Sequence, residues 1–104
     1  MNSVRRYQTE DGREIVTKWL GHLRDVRAKA RIARLTAGNL GDCKPLRDGV
    51  LELRIDHDPG YRVSFATVGR QVILLLCGGD KRTQDADIDK AAAYLADFKR
   101  RMHP

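Results

Sequence analysis

Two arginines stand where their chemistry would count. Arg54 lies in Leu51-Glu52-Leu53-Arg54-Ile55-Asp56 and Arg62 in Tyr61-Arg62-Val63-Ser64-Phe65, two stretches that alternate apolar and polar residues with period two. That period marks strands with one buried face. If the two apolar faces coincide, the register pairs Ile55 with Tyr61, Leu53 with Val63 and Leu51 with Phe65, and sets Arg54 opposite Arg62. Facing guanidinium groups on the exposed side of a sheet repel unless an anion or a carboxylate sits between them. A phosphate fits, because arginine forks match its oxygens. Equally, Glu52 and Asp56 can absorb both arginines as ion pairs.

A second set of groups converges on the same place. Strand direction alternates, so Gly78-Gly79-Asp80-Lys81-Arg82-Thr83-Gln84 returns to the sheet edge that carries the Asp56 to Gly60 turn, near Arg62 and His57. Two glycines let backbone approach a ligand, and Lys81 and Arg82 add positive charge, so the whole describes a cationic pocket. Asp80, Asp56 and His57 are weaker candidates for proton transfer; an aspartate beside a glycine turn is more often a turn-maker, and arginine stays charged. Other chemistries leave no trace. A dinucleotide glycine fingerprint, a P-loop, a paired-cysteine motif and a metal-binding helix with spaced histidines are all missing. His22, His57 and His103 are scattered, and Ser64 has no evident base, so neither metal nor cofactor is expected.

The elements that must hold these groups follow from the pattern. A short strand over 4–7 precedes a helix over about 11–23, in which Ile15, Val16, Trp19, Leu20 and Leu23 share a face. A second helix, about 25–37, carries Val26, Ala30, Ala33 and Ala37 along one stripe, with Gly38-Asn39 as its stop. The two form a helical hairpin. Residues 38–49 read as a loop with a brief strand near Leu46. After the two alternating strands, joined through Asp58-Pro59-Gly60, Val68-Gly69-Arg70 turns the chain into Val72-Ile73-Leu74-Leu75-Leu76-Cys77, apolar on both faces and so a central strand. A last helix, about 85–102, places Ile88, Ala91, Ala92, Leu95 and Met102 on one face, with aspartates at its start and Lys99-Arg100-Arg101 at its end. The expected fold is α+β in the order β-α-α-β-β-β-α, a helical hairpin packed on an antiparallel sheet, as one domain over 1–104.

Composition narrows the partners. The chain has 104 residues and a net charge of +6, and residues 5–34 hold nine basic side chains against four acidic ones. A field of that sign attracts nucleic acid or an acidic protein surface. The longest apolar run, Val72 to Cys77, is far short of the ~20 residues a membrane helix needs, so no membrane is expected as a partner. The N-terminus lacks a secretory signal, and two cysteines make no disulfide scaffold, so the expected location is the cytoplasm.

The ordered set Gly38-Asn39-Leu40-Gly41-Asp42, Lys44-Pro45-Leu46, Gly49-Val50-Leu51-Glu52-Leu53-Arg54-Ile55, Pro59-Gly60-Tyr61-Arg62-Val63 and Gly78-Gly79-Asp80-Lys81 with Thr83-Gln84 resembles the phage-derived Gp49-like, HigB-related branch of the RelE/ParE toxin superfamily. The likeness covers nearly the whole chain, with Trp19-Leu20 in the first helix and Asp87-Ile88 in the last. It implies a RelE-like small domain and the toxin of a type II toxin-antitoxin pair: a metal-independent, ribosome-associated mRNA endonuclease that inhibits translation. The alternatives are a non-enzymatic inhibitor of DNA gyrase, as in the ParE branch, and a plain RNA-binding module. By the resemblance, Arg62 handles the scissile phosphate, Arg54 matches a basic position on the preceding strand, and Lys81 or Arg82 matches the basic site after the last strand. The expected catalytic set is Arg54, Arg62 and Lys81, with Lys44, Arg82 and His57 contacting RNA. Expected partners are messenger RNA, the ribosome and a cognate antitoxin with a helix-turn-helix domain, through which alone operator DNA is met. Two positions depart from the best-known nuclease. Asp87-Ile88 stands where some RelE-type toxins have a tyrosine, and Glu52 replaces a basic strand residue, so proton transfer must be arranged differently.

Overall fold

A computed structural model describes residues 3–37, 41, 43–55, 60–69 and 72–102. The described elements are β1 (Ser3–Arg6), α1 (Ile15–His22), α2 (Val26–Thr36), β2 (Cys43–Pro45), β3 (Leu51–Ile55), β4 (Tyr61–Val68), β5 (Val72–Asp80), a 3-10 turn at Lys81–Thr83, and α3 (Gln84–Met102). The architecture is α+β, three helices on a five-stranded mixed sheet of order β1-β5-β4-β3-β2. The sheet differs from the sequence expectation in two points. β1 runs parallel to β5, so the sheet is not wholly antiparallel. The brief strand predicted near Leu46 lies just before it, at Cys43–Pro45, paired with β3.

Each face of the sheet buries apolar side chains, which is why β5 is apolar on both sides. On one face Ile73 and Leu75 pack with Leu53, Ile55, Val63 and Phe65 against Val16 and Leu23 and against Ala28, Ile32 and Leu35 of α2. On the other, Leu74, Leu76, Cys77 and Ala66 meet Ala91 and Leu95 of α3. The stripe of α2 is therefore not the one read from its alanines. Val26 is 78% exposed, and Ala30, Ala33 and Ala37 face solvent. Ala28, Ile32 and Leu35 are spaced at i, i+4 and i+7, and burying an isoleucine and a leucine removes more apolar area from water than burying alanines. Met102, expected on the inner face of the last helix, is 53% exposed.

Local chemistry sets the boundaries. Asp25 caps α2, accepting from the backbone N–H groups of Arg27 (2.9 Å) and Ala28 (3.1 Å). α1 begins at Ile15, four residues later than its pattern suggested, because Thr9 to Arg13 fold into a turn closed by Thr9 N–H on Arg13 O at 2.9 Å. Gly60 (φ +83°) and Gly69 (φ +62°) take the left-handed conformation that the two strand turns demand. The stop expected at Gly38-Asn39 lies outside the described residues. Among those residues, no helix is long and apolar enough to cross a membrane.

Candidate functional site

The register between β3 and β4 sets Arg54 opposite Arg62, with Ile55 on Tyr61, Leu53 on Val63 and Leu51 on Phe65, as the alternation required. Their face is the one that α3 covers. Across it, Lys44, Glu52, Ser64 and Cys77 form one row, and Arg54, Arg62 and Gly79 the next. The face is not solvated, which corrects the sequence expectation. The Glu52 side chain is 1% exposed and that of Arg62 15%. The beginning of α3 is responsible, with Gln84 Nε2 donating to Glu52 Oε2 at 3.5 Å.

Glu52 is thus a buried carboxylate between basic neighbours. Its Oε1 lies 3.4 Å from Arg62 Nε, an ion-pair distance without hydrogen-bond alignment. Glu52 Oε1, Arg54 Nε and Arg62 Nε are all shut off from solvent and have no hydrogen-bond partner among the described residues. Leaving such an atom unpaired costs roughly 1–3 kcal/mol, more for a charged group. Of the two ways to relieve the facing arginines, a carboxylate or an anion, the described residues supply the carboxylate of Glu52.

Lys81 and Arg82 come to the same end of the sheet, because Tyr61 pairs with Asp80. A Cβ on Gly60 would stand 3.3 Å from Lys81 Cε. Lys81, Arg82, Tyr61 and Asp80 line an open groove of about 410 Å³. The two cations are not equivalent. Arg82 Nη2 binds Asp80 Oδ2 at 2.9 Å, and that contact holds the Asp80 carboxyl below its ordinary range. Asp80 is also a turn-maker: its Oδ1 accepts from the Arg82 backbone N–H at 2.9 Å and caps the 3-10 turn. Lys44 is exposed on β2, in register with Glu52, at the far side of the sheet from Lys81. His57 and Asp56 lie outside the described residues.

Gly78 and Gly79 make room, but for the protein's own side chains. A Cβ on Gly78 would fall 2.3 Å from the Trp19 ring of α1, and one on Gly79 would fall 2.0 Å from Asp87 Oδ2 of α3. The expectation that these glycines open space for a ligand is corrected accordingly. Among the described residues, no group of three His, Cys, Asp or Glu side chains could hold a metal ion. The remaining thiol on this face, Cys77, is pushed up to about 11, first by burial and then by Asp87.

Residues 18–100 match the family model "Phage derived protein Gp49-like (DUF891)". The chain belongs to this family, a RelE/HigB-type toxin family. It is also similar to a protein from Haemophilus influenzae that bears the name "Uncharacterized protein", 52% identical over 77 residues, which is 70% of this chain and 78% of the relative.

Proposed function

We propose that this chain is the toxin of a type II toxin-antitoxin pair, a RelE-like domain that cuts messenger RNA on the ribosome by attack of the RNA 2′-hydroxyl on the adjacent phosphate. The observation that carries the reading is the pair Arg54 and Arg62, held opposite one another beside a buried Glu52, with Nε atoms that have no hydrogen bond among the described residues. Family membership supports it from a second direction. The reaction needs charge stabilisation on a phosphorane-like transition state, a proton acceptor and a proton donor. Arg54 and Arg62 stabilise the charge. Glu52 is too deeply buried to meet a substrate hydroxyl and acts through Arg62, fixing its guanidinium; it is a positioning residue. Lys81, whose neighbour Arg82 is engaged by Asp80, supplies further positive charge or moves a proton to the departing oxygen. In this reading the protein works in the cytoplasm, is neutralised by an antitoxin with a helix-turn-helix domain, and reaches operator DNA only through it.

The test is brief induction of the wild-type chain and of Arg62→Ala, with 5′ ends of cellular transcripts mapped and protein levels matched. The wild type is expected to halt growth and leave new 5′ ends inside open reading frames, and Arg62→Ala to do neither. Persistence of both effects in the variant removes the nuclease reading. Growth arrest without new ends, together with loss of DNA supercoiling by purified gyrase, assigns the chain to inhibition by binding.

A further inference from the structure

The sequence pattern assigns Trp19 to the inner face of α1, and the side chain packs against the core there while part of it stays open to solvent. The indole lies on Gly78, so close that any side chain there would overlap it, and presents its edge to Tyr61 at 6.3 Å between centroids and 70° between planes. It remains only partly buried. With Ile15 it floors an open groove of about 550 Å³ whose rim carries Arg13, Lys18 and His22. That volume is within the roughly 300–1,000 Å³ of sites that hold small organic groups. Glu14, the acidic member of the rim, already accepts from Thr17 Oγ1 at 2.7 Å. Arg13 pairs with Asp11 at 3.2 Å, but both are exposed, and such a pair is weak and screened. Tyr61, on the other side of the indole, lines the neighbouring groove with Lys81. Two cationic grooves thus meet at one aromatic pair.

We propose that Trp19 is a stacking shelf for an unpaired base of the RNA strand, with Lys18 and Lys81 on either side of it meeting the backbone phosphates. This deepens the reading of the chain as an RNA-directed protein and rests on it. An acidic peptide would satisfy the lysines but would leave a flat indole without a planar partner. An apolar segment would cover the indole and desolvate the lysines. A nucleotide satisfies both at once, since every base has an apolar π-face and a charged backbone.

The chain has a single tryptophan, so its own fluorescence reports on the shelf. The probe is a short 2′-O-methyl oligoribonucleotide, which lacks the attacking hydroxyl, titrated into the full chain and followed in parallel by anisotropy of an end label. Saturable quenching at the concentration where anisotropy rises is expected, and an abasic oligomer of the same length should bind more weakly. Trp19→Phe should retain most of the affinity. Trp19→Leu, which keeps apolar bulk over Gly78 and lacks the π-face, should lose about 5- to 100-fold. Thermal melts establish that both variants fold, and if Trp19→Leu does not, the wild-type quench and Trp19→Phe decide the matter. A rise in anisotropy with no quenching, or equal affinity for Trp19→Leu, overturns the shelf. So does quenching by a synthetic acidic peptide with none by the oligomer, which would give the groove to a protein partner. The two readings fail separately. Transcript cutting that depends on Arg62, with Trp19 silent, removes the shelf alone; saturable quenching by the oligomer without any cutting by the wild type removes the nuclease alone.

Discussion

Two of the carboxylates between α3 and the sheet, Glu52 near the start of the helix and Asp97 near its end, differ in their surroundings. Asp97 is fully engaged: Tyr7 Oη donates to its Oδ2 at 2.6 Å, Arg101 reaches the same oxygen at 2.8 Å, and Arg100 reaches Oδ1 at 3.2 Å. Tyr7 in turn stacks on Tyr94 at 4.8 Å, and the Arg101 guanidinium sits over its ring at 5.6 Å. Glu52, more deeply buried, has one oxygen without a hydrogen bond among the described residues, and the Nε atoms of Arg54 and Arg62 are in the same condition. Completed networks rigidify, while incomplete buried ones are costly and are found where a protein keeps interaction capacity for something else. The Asp97 end ties the segment after β1 to the last helix; the Glu52 end keeps polar atoms without hydrogen bonds among the described residues.

Four experiments press on this contrast. Largest should be the kinetic effect at the incomplete end: Arg62→Ala is expected to slow RNA cutting by roughly 100-fold or more in a reconstituted ribosome assay, the loss typical of one charged donor to a transition state. A slowing of less than tenfold would mean that the pair is structural. Next comes stability at the same end. Glu52→Ala leaves Arg54 and Arg62 half-buried and facing each other, and should cost about 3 kcal/mol in urea unfolding, as breaking a buried pair does. A cost near zero would show that the carboxylate does not hold the arginines in place. Tyr7→Phe, at the completed end, should cost only about 1 kcal/mol, since it removes one hydrogen bond and keeps the ring stack. Should it exceed the Glu52 variant, the ranking of the two ends is inverted.

Smallest, and set by pH, is the titration of the completed end. The Asp97 carboxyl is held below its ordinary 3.8, first by the Tyr7 hydroxyl and then by Arg101, so its contribution is present above that value and lost as pH falls through the lower folded one. The Tyr7 phenol is raised from 10.0 to about 12, by burial first and the Asp97 bond next, so its contribution is complete below pH 10 and lost as pH rises towards 12. Melts of the wild type and Tyr7→Phe should therefore converge at the acid extreme, and the wild type should lose its advantage and fall below the variant as pH rises towards 12. Parallel curves would place the pH dependence elsewhere.

The opposition of Arg54 and Arg62 was legible before any coordinates, because a period of two leaves one register that buries both apolar sets. The burial of Glu52 was not. A glutamate at an alternating position reads as solvent-facing, and what covers it, Gln84 and the first turn of α3, comes from the far end of the sequence. The α2 stripe failed for a different reason: alanines at helical spacing fit a face as well as Ala28, Ile32 and Leu35 do, and side-chain volume had to decide. Trp19 was assigned correctly to the inner face, but its groove was missed. The signal available was a tryptophan beside Lys18 together with a Gly-Gly pair that must admit something large.

The parallel pairing of β1 with β5 bears on how the chain is made. Ser3–Arg6 is hydrogen-bonded to Val72, Ile73, Leu74 and Leu75, so β1 has no strand partner until β5 has been synthesised. At translation speeds of about 5–20 residues per second that delay is roughly 4–14 s. β4 waits on the same segment for its second neighbour. Until β5 has emerged the basic segment 5–34 is without its sheet, and the cover that Gln84 places over Glu52 comes later still.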